Sequence, residues 1–140
     1  MQRRSADILG EGVMKTKYID VDGKWGIVII YDFSKIDEEE MAGVMDSFGM
    51  DMPGIRRSLR ILSSYNTGMA ISRDDIRMSA IFISHATNAE QWWDTCTHEL
   101  LHAWNAICDY YDVPMDSEDA AWTMGYLMRK TVECIAPPCI

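Results

Sequence analysis

Two of the three histidines in this chain sit four residues apart, with a glutamate beside the first: Thr97-His98-Glu99-Leu100-Leu101-His102. In a helix, one turn of about 3.6 residues brings both imidazoles onto one face, about 6 Å apart along the axis. Imidazoles so placed can grip one divalent ion, and two imidazoles with a carboxylate favour zinc. Glu99 then stands close enough to take a proton from water activated at the metal. The pattern fixes only three positions, so a structural histidine pair is the competing explanation. A catalytic zinc also needs a third protein ligand and one open position.

These residues must be held by a helix, and the sequence provides one. Thr87-Asn88-Ala89-Glu90 reads as a capping box, and the apolar flanks Leu100, Leu101, Ala103 and Trp104 predict a packed helix from about 88 to 111. Asp112-Val113-Pro114-Met115-Asp116 is a short connection whose proline forbids smooth continuation. Asp116 or Ser117 would cap a second helix running to about Val132, packed antiparallel on the first. The return makes Glu118 available as the third ligand, with Asp119 and Asp116 as rivals. An acidic residue in a first helical turn is also favoured by the helix dipole without any metal. Helical spacing places Asp94, Asn105 and Asp109 on the histidine face, and Asp94, one turn before His98, is the best placed to orient an imidazole, against the equal reading of an ordinary polar helix residue. His85 and Tyr126 are candidates for stabilising an oxyanion, against the plainer readings of a solvated loop histidine and a packing tyrosine.

Upstream, residues 24–31 are β-branched and apolar and predict a buried strand. Residues 1–22 are polar, holding either a short strand near 14–21 or a mobile arm. Ser34 with Asp37-Glu38-Glu39-Glu40 opens an acidic helix that continues to Phe48, and Asp51-Met52-Pro53-Gly54 reads as the turn that ends it. A short strand is expected near 60–64. Residues 67–72 and 76–84 predict two more strands, the second with Ile76, Met78, Ala80, Phe82 and Ser84 on one side. The fold class is α+β: one domain over 1–140, with a small mixed or antiparallel sheet packed on an antiparallel helix pair and a tail at 133–140.

The 140 residues suffice for one domain with a real core, and 48% hydrophobic and 25% charged residues are ordinary globular values. A net charge of −9 argues against a nucleic-acid surface. The longest apolar run, Trp25 to Tyr31, is too short to cross a membrane. No apolar signal segment is read at the N-terminus, so a cytoplasmic location is expected. None of the cysteines forms a zinc-type CxxC pair. Cys96 and Cys108 are expected as buried thiols, and Cys134 and Cys139 as free thiols that an oxidising setting could bridge.

Residues 97–127, from Thr-His-Glu-Leu-Leu-His-Ala-Trp through Ser117-Glu118-Asp119-Ala120-Ala121-Trp122, resemble the zincin metallopeptidases of the gluzincin type. There a second helix carries the third ligand in a Glu-x-x-Ala setting, matched here by Glu118 and Ala121. The stretches around Thr67-Gly68, Ile81-Phe82-Ile83-Ser84 and Thr95-Cys96-Thr97 are similar to small uncharacterised zincin-like proteins of bacteria and their phages. The resemblance covers about half of the chain. It implies His98, His102 and Glu118 as zinc ligands, Glu99 as general base, and a peptide or protein substrate. It also implies that the strand before the active helix, here 76–84, holds extended substrate if it lies at a sheet edge. The spacing to Glu118 is shorter than in large gluzincins and leaves little room for a substrate-binding subdomain. A non-catalytic zincin-like structural or interaction module, phage-associated, is therefore the alternative.

Overall fold

The computed structural model describes residues 14–135. Cys139 and the rest of the expected tail beyond 135 lie outside them, as do residues 1–13 of the expected arm. The sheet is built from β1 (Lys15–Val21), β2 (Trp25–Tyr31), β3 (Gly68–Arg73) and β4 (Met78–Ile83), in the order β1-β2-β4-β3. The β1–β2 and β3–β4 pairs are antiparallel, while β2 and β4 run parallel. The mixed sheet confirms the α+β class. Residues 15–21 are thus a full strand rather than an arm, paired along their whole length with β2.

Helices cover the sheet on both faces. A 3-10 turn (Lys35–Asp37) leads into α1 (Glu38–Ser47), followed by α2 (Met52–Leu62). These pack Met41, Met45, Ile55 and Leu62 against Ile30, Ala80 and Phe82. On the opposite face α3 (Ala89–Tyr111) and α4 (Glu118–Cys134) cover Ile27, Ile29, Ile81 and Ile83 with Trp92, Cys96, Leu100, Ala103 and Leu127. Alternation along β4 therefore holds as expected, but both sides are buried. Each fully buried large apolar side chain contributes about 1.5–3 kcal/mol. Among the described residues, Trp92 Nε1 is the buried side-chain donor without a hydrogen-bond partner. Its ring stands edge-on to Trp93 and Tyr31 at 4.9 and 6.0 Å.

Three local expectations are corrected. Asp51-Met52-Pro53-Gly54 opens α2 rather than merely ending α1, and the strand expected at 60–64 is the end of that helix. Proline fits the first helical turn, where its missing N–H costs nothing, and Asp51 Oδ1 accepts from the Gly54 N–H at 2.8 Å. At the start of α3 the capping side chain is Asn88, accepting from the Gln91 N–H at 2.8 Å, and not Thr87. The Thr87 N–H instead donates to Asn66 Oδ1.

Cys96 and Cys108 are buried free thiols. Burial, reinforced by the nearby Glu99 charge, pushes the Cys96 thiol up to about 12. Since the thiolate is the reactive form, Cys96 should escape iodoacetamide in the native protein at pH 8 and react on denaturation. Peptide mass mapping reads this directly, and native labelling of Cys96 would contradict the packing of α3.

Candidate metal centre

The central part of α3 presents two faces. Cys96, Glu99, Leu100 and Ala103 are buried toward the sheet, while His98 and His102 are exposed. The two Nε2 atoms lie 3.2 Å apart, with ring centroids 4.8 Å apart and planes at 73°. Nitrogens bound at about 2.0–2.1 Å to one tetrahedral ion lie about 3.3 Å from each other. The separation thus matches that of two corners of a tetrahedral zinc site. It also fits an imidazole–imidazole hydrogen bond.

Glu99 completes a compact group, its ligand atoms and those of both histidines lying within 4.8 Å of one another. Its Oε2 is 4.0 Å from His98 Nε2. The side chain is 6% exposed, and burial raises its carboxyl above the usual range, opposed by attraction to His98 and His102. A carboxylate so placed is a stronger proton acceptor than one in water.

The first strand residue of β3 sets this burial. Gly68 passes so close to α3 that a Cβ there would lie 2.7 Å from Thr95 Cγ2 and 3.0 Å from both Glu99 Cγ and the Phe82 carbonyl oxygen. The approach is pinned by the segments flanking it. The Ser84 N–H donates to the Thr67 carbonyl, the Thr67 N–H to Ser84 Oγ, and the Asn66 N–H to the His85 carbonyl, each at 2.9 Å. Gly68 carries a signal that sequence reasoning missed, because the need for a bare backbone appears only when α3 crosses it.

The other residues expected at the site lie elsewhere. Glu118 is exposed in the first turn of α4, where Ser117 caps the helix by accepting from the Ala120 N–H at 3.1 Å. It does not join the histidine group. Thr97 shows why: its Oγ1 touches Met128 Sδ at 3.9 Å, so α4 packs along that side of α3. At about 100° per residue, His98 and His102 are turned about 100° and 140° away from Thr97. Glu118 also lies ten residues from Met128, about 15 Å along α4. Its rivals Asp116 and Asp119 are equally outside the group.

Asp94 is exposed one turn before His98 and also stands outside the group. His85 turns to the end of β2, where its Nε2 is 3.4 Å from Asp32 Oδ1, and Asp32 in turn pairs with Lys15 at 3.0 Å. Tyr126 fastens α4 to the sheet, its hydroxyl donating to the Asp20 carbonyl at 3.3 Å. Neither reaches the histidines. The strand expected to receive substrate, β4, is interior, and the edge beside Glu99 is β3.

Comparison with protein-family models, with curated proteins and with solved structures finds no match. No described helix is long and apolar enough to cross a membrane.

Proposed function

We propose that this chain is a metal-dependent hydrolase, a compact zinc metallopeptidase in which His98 and His102 supply two of the ion's ligands and Glu99 moves the proton, while no third protein ligand converges on them among the described residues. The observation that carries this reading is the 3.2 Å separation of the two Nε2 atoms beside a buried carboxylate. When bound, zinc supplies a Lewis acid that acidifies water and polarises a carbonyl. Glu99 takes the proton from the attacking water at Oε2 and returns it to the leaving amine. Its buried position favours both halves, since a raised carboxyl gives up and regains a proton nearer neutrality. β3, at the edge of the described sheet, offers its outer backbone groups to an extended peptide next to this carboxylate.

A second reading is a metal-binding module without turnover. It is favoured by the placement of Glu118, which leaves His98, His102 and Glu99 as the described side chains that converge. Elemental analysis of protein purified without added metal, paired with a peptide-library hydrolysis assay with and without chelator, separates the two. The hydrolase reading expects about one zinc per chain and chelator-sensitive cleavage. Bound zinc with no cleavage of any peptide favours the module, and absence of metal contradicts both.

A further inference from the structure

We propose that a second cavity, away from the histidines, binds a small organic cation with an apolar body, such as an aryl- or alkylammonium. The cavity, of about 470 Å³, lies where the β1–β2 turn meets the end of α3 and the start of α4. Its walls carry four aromatic residues: Trp25 and Trp104, nearly buried, close the floor, and Tyr111 and Trp122 are the more open rings a ligand can meet. Aromatic faces attract cations through their ring quadrupole, more strongly where water is excluded. The volume falls within the range of small-molecule sites, about 300–1,000 Å³.

Charge selects the ligand's sign. Asp22 and Asp119 stand at the walls, in a chain of net charge −9. The cation in the lining is Lys24, whose Nζ lies 5.8 Å from the centroid of the Tyr111 ring. The Lys24 backbone is fixed, its carbonyl accepting from the Tyr111 hydroxyl at 2.8 Å, but its side chain is exposed at the rim, so a ligand cation can displace the ammonium from the ring. Trp122 supports a binding role independently. It is 75% exposed, the most open large apolar side chain among the described residues, although it sits on a helix with a well-buried face elsewhere. Such a residue adds little to the fold and leaves its indole free at the cavity mouth.

The site is distinct from the histidine group. Trp104 follows His102 by two residues, which turns it about 200° round α3 to the opposite side.

The test is a titration of the full chain with benzyltrimethylammonium, followed by tryptophan fluorescence, with benzyl alcohol and phenylacetate as neutral and anionic counterparts. The cation should quench saturably, and the two counterparts should bind at least about tenfold more weakly. Trp122→Ala should weaken the cation about three- to thirtyfold, and Asp119→Asn should weaken it also. Lys24→Ala should tighten it by removing the internal competitor. These positions are exposed, so the variants keep the native circular dichroism spectrum. The proposal fails if benzyl alcohol or phenylacetate binds as well as the cation, if Lys24→Ala weakens binding, if Trp122→Ala leaves it unchanged, or if no saturable signal appears up to roughly 10 mM.

Discussion

Glu99→Gln should abolish peptide hydrolysis by about 10²–10⁴-fold, leave metal retention intact, and make the metal-free protein more stable. The three effects have one cause. Glu99 is buried beside Gly68 and Thr95, and folding raises its carboxyl because the charged form loses solvent. A group raised on folding costs nothing below its unfolded value and destabilises progressively as the pH climbs through its folded value. Glutamine cannot ionise and so escapes this penalty. The variant should melt higher than wild type at pH 7 and close to wild type at pH 4. Thermal melts at both pH values, with a turnover assay, read the result. A variant that melts lower than wild type at pH 7, or that keeps full turnover, would show that Glu99 is a structural group and not a proton carrier.

Gly68→Ala should be the most damaging single-methyl substitution near the site. The added Cβ meets Thr95 Cγ2 at 2.7 Å and a backbone oxygen, that of Phe82, at 3.0 Å. Side chains can yield, but the carbonyl belongs to the β4 backbone and cannot move without disturbing the sheet. Overpacking of this kind costs about 1–3 kcal/mol. The same methyl presses on Glu99 Cγ at 3.0 Å, so the carboxylate shifts away from the histidines. Misplacement by about 1 Å can cost about 10²-fold in rate, and the loss should fall on kcat rather than KM. Denaturant melts and steady-state kinetics measure both parts. Unchanged stability together with unchanged kcat would mean that β3 does not position Glu99.

The features legible in the sequence are the local ones. The His98/His102 register follows from helical period alone, and α3, α4, β2 and the β3–β4 hairpin announce themselves by apolar pattern and capping residues. Local reading erred where one signal serves two structures. Pro53 after Asp51 looks like a turn but equally opens a helix, and only the Asp51–Gly54 hydrogen bond decides. The remaining questions are non-local. Whether β4 lies at an edge depends on β2 pairing beside it in parallel, a contact between residues about fifty apart in sequence. Whether Glu118 reaches the histidines depends on which side of α3 receives α4, and the Thr97–Met128 contact puts α4 on the wrong side. His85 was near the right end of the sheet, but Asp32, on the neighbouring strand's end, draws it away. No pattern within either segment encodes those choices.

The most direct measurement is a cobalt(II) titration of the metal-free chain, read by its visible ligand-field spectrum, on the wild type and on His98→Ala, His102→Ala and Glu118→Ala. Saturation near one ion per chain is predicted for the wild type and for Glu118→Ala, with loss of the spectrum in either histidine variant. Failure of the wild type to take up cobalt, or uptake undiminished by removal of the histidines, would contradict the assignment of a metal to this helix.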